Sequence, residues 1–253
     1  MSKKIITLLL AASMMTAALA SCGGNNDGED TTADTTVAED TTDEAAPETS
    51  VSIEDLAAAI KGEFGDLYDP ANEMGLPLSE YRANFAADTF ELKMPGFESI
   101  SEEDLGMPIS EYITSELVNI YGIQTEWAED VLLQKAASIT SVDAFMIVKP
   151  TDGNKENVVS ALEAYKEYSL NDAFQYPTNL PKIRAAKIVE QGDYVFFLMV
   201  GSIPDELLYA EIDYENLSED EIAAEQARID SEQENAAADN NQKAIDAIAA
   251  LLG

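Results

Sequence analysis

The chain has no histidine, one cysteine and one tryptophan in 253 residues. Without histidine there is no imidazole general base, no Ser-His-Asp or Cys-His nucleophile pair and no His-ligated zinc. A single cysteine, Cys22, excludes an internal disulfide, so the folded part is held by packing alone. Bases are scarce as well: 14 Lys and Arg stand against 49 Asp and Glu, a net charge of −35. Such a surface repels nucleic acid and anionic headgroups and favours cations or basic partners. Neither a glycine-rich phosphate loop nor a dinucleotide fingerprint occurs.

What is present begins with Lys3 and Lys4, followed by an apolar run from Ile5 to Ala18 that is too short to span a bilayer. Residues 1–21 therefore read as an export signal. Its end, Leu19-Ala20-Ser21-Cys22, resembles the bacterial lipobox. That resemblance implies a thioether-linked diacylglycerol, with palmitate-class chains, on Cys22 as the first mature residue. The alternative is an ordinary signal with an incidental cysteine. Paired acyl chains, at about 0.8 kcal/mol per buried CH₂, hold a protein at a membrane. The expected location is thus the extracytoplasmic face of the cell membrane, with the membrane as a partner through Cys22. Residues 22–50 form an acidic Thr/Asp-rich linker with nine acids and no base. It lacks the apolar surface to offset its ordering entropy and reads as a solvated tether, at most about 90–100 Å long. Its threonines permit O-glycosylation, although a plain spacer accounts for them.

Residues 51–253 read as a single globular α+β domain with its core at 100–201 and a helical extension at 204–253. Ala144 to Val148 is a continuous apolar run, as in a strand buried on both faces. Pro150 stops it, and Asp152-Gly153-Asn154 supplies a turn with Asn154 as N-cap. Val158, Leu162, Tyr165 and Ser169 then mark one helix face. Ala185–Glu190 and Tyr194–Val200 flank Gln191-Gly192-Asp193 as a hairpin. The expectation is a small antiparallel sheet of about three strands, near 142–149, 185–190 and 194–200, covered on one side by several helices and followed by a long acidic C-terminal helix.

The same stretch is similar to a known family. Tyr121-Gly122-Ile123, Phe145 to Lys149, Tyr176-Pro177, Ala186 to Val189 and Gly192 to Phe196 carry the pattern. Over roughly residues 100–201 the chain resembles the domain of unknown function DUF4358. The resemblance implies a surface-tethered lipoprotein domain, with a Gram-positive host favoured, and supplies no catalytic residue.

Elsewhere, Ser52 and Asp55 form a capping box for a helix whose stripe is Ile53, Leu56, Ala57 and Ile60. Met74–Tyr81 and Leu105–Tyr112 repeat the pattern Gly-x-Pro-x-Ser-Glu-Tyr at an offset of 31 residues. Both copies predict a turn and a Ser-capped helix start; paired ligand loops are the functional alternative. Phe90–Met94 alternates like a short strand. Helices are expected over 110–120 and 125–137, with Val118, Ile120, Trp127, Val131 and Leu132 facing the sheet. Leu207–Ile212 fits a strand or a helical turn. Ser218 and Glu221 open a long helix whose middle, Asp230 to Lys243, shows almost no apolar face and is expected to be solvated or frayed; its end, Ala244 to Leu252, docks on the core.

Two chemistries remain, a carboxylate pair and a calcium site; diffuse attraction of cations is not a site. A carboxylate pair would suit a hydrolase, but with this many acids close pairs are unavoidable. Asp152 to Glu156 carries oxygen ligands near a turn without the order of a calcium loop. The Asp213–Glu221 cluster attracts cations diffusely. Tyr165, Tyr168, Phe174, Tyr176 and Tyr194 crowd the central unit, as core or as a groove for a glycan or peptide. The expected function is a non-enzymatic ligand-binding, partner-binding or envelope lipoprotein with no cofactor, no metal and no catalytic residue; the alternative is an extracytoplasmic carboxylate hydrolase. A transporter's solute-binding protein fits poorly, since two lobes and a hinge are lacking.

Overall fold

Ala144–Pro150 (β4) and Tyr194–Met199 (β6) pair antiparallel at the heart of a larger sheet. A computed structural model describes residues 51–138 and 140–253; the export signal, Cys22 and the linker at 22–50 lie outside them. Leu78–Asn84 (β1), Thr89–Lys93 (β2), Ala128–Ala136 (β3) and Lys187–Gln191 (β5) complete six antiparallel strands in the order β2-β1-β3-β4-β6-β5. The helices are Ile53–Gly62 (α1), Glu102–Leu105 (α2), Ile109–Asn119 (α3), Lys155–Asn171 (α4), Leu180–Ala185 (α5), Asp205–Leu208 (α6) and Glu219–Leu252 (α7). None of them is long and apolar enough to cross a membrane.

Successive strand residues point to opposite faces, and here both faces are apolar. Val131, Leu133, Met146, Val148, Val195 and Phe197 pack under α3 and α4 through Leu117, Val158 and Leu162. Leu132, Phe145, Ile147, Phe196 and Leu198 pack under α1 and the end of α7 through Leu56, Ile60, Ala244 and Ile248. Each large side chain so buried contributes about 1.5–3 kcal/mol. The expected one-sided sheet of three strands is thus corrected to a six-stranded sheet with helices on both faces, although the α+β class holds.

The missing strands have physical explanations. Residues 125–137, read as a helix, form a 3-10 turn at Thr125–Trp127 followed by β3. A short apolar run does not separate helix from strand by periodicity; pairing with β1 on one side and β4 on the other decides it. The first repeat copy runs into β1, where Ser79, Tyr81 and Ala83 are buried in alternation. The second copy starts α3, whose N-cap is Pro108 rather than a serine. Nearly the same eight residues therefore take two conformations, and neither copy is a Ser-capped helix. Their equivalent tyrosines, Tyr81 and Tyr112, stack with ring centroids 6.2 Å apart. Phe90–Met94 is a strand as expected, shifted one residue. The ambiguous 207–212 contains the end of the short helix α6 and no strand.

The polar middle of α7 is neither frayed nor wholly solvated. The helix is continuous from its Ser218–Glu221 capping box to Leu252. Its inner face buries Ile229, Gln233, Ala237, Asn240 and Asn241. Gln233 Nε2 donates to Leu207 O, Asn240 Nδ2 to Ser202 O, and Asn241 Nδ2 to Ala185 O, while Asn241 Oδ1 accepts from Val200 N. These amides satisfy backbone groups where β6 runs out, and a buried unpaired amide would cost about 1–3 kcal/mol. A second buried network ties the same end. Asp143 pairs with Lys182, accepts from Ser141 Oγ, and accepts from Tyr68 OH at 2.8 Å. The Tyr68 oxygen in turn accepts from Gly201 N at 2.6 Å.

Gly201 has φ +84°, and a Cβ there would meet Asn240 at 2.6 Å. Gly153 has φ +77° with open space around it. Both are strained by a side chain, but only Gly201→Ala also displaces Asn240. Gly201→Ala is expected to cost more than about 1 kcal/mol and to exceed the cost of Gly153→Ala, measured as urea midpoints at equal slope. Equal midpoints for the two variants would refute the packing role of Gly201.

Candidate functional site

The C-terminal end of α3 runs into Tyr121-Gly122, and Gly122 takes φ +73° so that the chain can turn across α4. A Cβ at Gly122 would stand 3.6 Å from Ala161. Ser160, Ala161 and Ala164 present small side chains on this side of α4, so a groove of about 580 Å³ remains between the two elements. Its apolar lining comes from Ile120, Tyr121, Trp127, Tyr165 and Tyr168. Ile120 is 52% exposed and Tyr168 55%, high for large apolar bodies. Asn119 and Asn157 add amides to the lining. Their Nδ2 groups donate to Ser115 Oγ and Asn154 Oδ1. No charged side chain lines the groove among the described residues, in a chain where a quarter of all residues are charged.

A second hollow of about 430 Å³ shares Ile120, Tyr121 and Tyr165 with the first. Tyr121 and Tyr165 lie 4.4 Å apart, and Tyr165 meets Phe197 edge-on at 5.6 Å, which fixes the shared wall to the sheet. The second hollow does carry charge, but in neutralised pairs. Lys135 pairs with Glu116 and sits 5.0 Å from the centre of the Tyr81 ring. Asp143 is held by Lys182. Burial pushes the Tyr121 phenol well above its ordinary value, with Tyr165 and Glu116 adding to the effect. Burial likewise raises Tyr81 and Tyr68, the charges of Glu116 and Asp143 respectively acting in the same direction.

The residues singled out in the sequence separate. Tyr165 and Tyr168 come together in the groove. Tyr194 lies on the opposite face of the sheet, packed beside Phe196, and Phe174 and Tyr176 form an exposed pair away from the groove. Trp127 packs against the core beneath α3 and α4, as expected, and also lines the groove, whereas Ile120, expected to face the sheet, is exposed in the groove wall. Asn119, Tyr121 and Asn157 were not anticipated; the Tyr-Gly step at the end of a helix was the available signal. Asn154 is the N-cap of α4 by position, but its side chain makes no cap; it donates to Thr151 Oγ1 instead. Lys155 reaches Gly192 O, so the 152–156 turn does not gather ligands. Asp213 and Glu221 are spent on local backbone and side-chain donors. Among the described residues, no three His, Cys, Asp or Glu converge as metal ligands. Each described carboxyl whose pKa is displaced (Glu80, Asp104, Asp213, Glu221 and Glu225) is displaced downwards.

Every residue lining the groove falls between positions 119 and 168. Residues 101–200 match the model of the domain of unknown function DUF4358. The DUF4358 match runs from α2 through β6 and so contains the whole groove, while α1, β1, β2 and α7 lie outside it. No curated protein and no solved structure matches the chain.

The raised phenols predict the alkaline limit of stability. A phenol whose folded pKa lies above its unfolded value, about 10, favours the folded state at every pH below that value. The contribution is lost as pH rises from there towards the folded pKa. Tyr68, Tyr81 and Tyr121 are therefore expected to ionise together with unfolding rather than before it. Phenolate absorbance and circular dichroism recorded in one alkaline titration check this. Full phenolate formation in a still-folded chain would contradict it.

Proposed function

We propose that the protein is a non-enzymatic, membrane-tethered extracytoplasmic domain that binds an uncharged, ring-bearing ligand, of which a neutral saccharide is the type, in the groove between α3 and α4. The observation that carries this reading is the aromatic, charge-free lining of that groove. An anion is repelled by the acidic body, and a cation finds no carboxylate in the groove to pair with. A sugar ring offers apolar faces to Trp127 and Tyr168 and hydroxyls to Asn119, Asn157 and Ser160, the combination of flat apolar walls with few polar groups found in ligand sites. The volume suits a small ligand.

Trp127 is the only tryptophan, so intrinsic fluorescence reports on the groove directly. Titration with neutral oligosaccharides is expected to shift or quench this emission saturably, whereas anionic oligosaccharides do not. Tyr168→Ala, at an exposed position, is expected to weaken binding about tenfold, or about 1.4 kcal/mol, without changing the thermal midpoint. An unchanged emission with every neutral sugar would remove the proposal, and saturation by a neutral peptide alone would replace the saccharide as ligand.

The tether has a separate test. Mass spectrometry of the mature N-terminus is expected to find a diacylglycerol thioether on Cys22, and Cys22→Ser to release the protein from the membrane fraction. A bare thiol at that residue would show the domain is not lipid-anchored.

A further inference from the structure

A third hollow, of about 390 Å³, lies beneath the N-terminal half of α7, away from the groove and largely outside the DUF4358 match. Leu208, Ile212, Tyr214 and Ile229 give it apolar walls, and Glu211 and Asp230 stand in its lining. Neither acid has an ion-pair partner among the described residues. The surroundings are strongly acidic: from Asp205 to Glu234 there are twelve acids and one base, Arg228. Arg228 is already engaged by Glu225 and Glu232.

Charge is half of the observation; apolar exposure is the other half. Tyr214 is 66% exposed and Tyr209 72%. On the flank, Phe174 is 88% exposed and meets Tyr176 edge-on at 5.8 Å, immediately before Pro177 of the hollow's lining. The first turns of α7, residues 219–228, have no buried side chain. Only Ile222 and Glu225 there are half-buried and the rest is exposed, so these turns bury little against the core and leave their acids facing solvent.

We propose that this face docks a basic polypeptide segment that carries apolar residues between its Lys or Arg. The long stems of Lys and Arg lie along the hollow and the tyrosine faces while their charged ends reach Glu211, Asp230 and the α7 acids. Apolar residues of the segment fill the space between Leu208, Ile212 and Ile229. Nucleic acid is excluded by the sign of the charge, and a small cation gains only the screened Coulomb part of the interaction.

The test uses the full-length chain and a fluorescent peptide that alternates Lys or Arg with Leu, with an acidic counterpart as control. Binding of the basic peptide alone is expected, weakening as salt rises. Glu211→Lys combined with Asp230→Lys should weaken it by about tenfold or more, and Tyr214→Ala several-fold at any salt. Glu98→Lys combined with Asp152→Lys changes charge by the same amount on other loops and should leave affinity within about twofold. Thermal midpoints confirm that each variant is folded. Equal losses from the two charge reversals, no effect of Tyr214→Ala, displacement of the peptide by an equal charge of free polyamine, or no binding at low salt would each overturn the proposal.

Discussion

β4 and β6 are apolar on both sides, and two separate helical layers exist because of that. Phe145, Ile147, Phe196 and Leu198 point away from α3 and α4. Left uncovered, these four side chains would forfeit about 6–12 kcal/mol of burial, comparable with the whole stability of a domain. The cover comes from the two ends of the described chain, α1 before the sheet and α7 after it. The stretch that matches DUF4358 therefore supplies the sheet centre and one helical layer, and the flanking helices complete the fold.

Where the layers meet, polar groups do the joining. Asp143, Lys182, Tyr68 and the backbone of Gly201 form one connected set, and Asn240 and Asn241 of α7 form another beside it. No buried side-chain polar atom is left without a partner among the described residues. Buried polar networks of this kind are costly when half-satisfied and specifying when complete. They hold the end of β6 in one place against both α5 and α7. An all-apolar joint would tolerate sliding; these amides fix the register of the long helix.

The two surfaces with proposed roles differ in charge because they are built on different parts of the fold. The aromatic groove lies on α3 and α4, where small residues of α4 and the turn at Gly122 leave a hollow with no charge in its walls. The acidic face lies on α6 and α7, where twelve acids face a single base between Asp205 and Glu234, above an apolar floor. The same body thus carries an uncharged hollow and a negatively charged one.

The sequence by itself set the α+β class, the central hairpin, the stripe of α4 and the Ser52 and Ser218 caps, because each rests on contacts within a few residues. It also set the charge, and with the missing histidine it set the chemistry that is absent. Tertiary structure alone decided the rest. Val131-Leu132-Leu133 reads equally well as helix or strand until neighbours on both sides offer backbone hydrogen bonds. The repeated Gly-x-Pro-x-Ser-Glu-Tyr becomes β1 in one copy and α3 in the other; the first is hydrogen-bonded between β2 and β3, and the second has no strand partner. Asn240 and Asn241 look solvated in sequence and are buried in fact, because the carbonyls and amides they satisfy come from residues 38 to 56 positions away. Local pattern fixes what a segment does alone, while hydrogen bonds and burial between distant segments fix what it does in company.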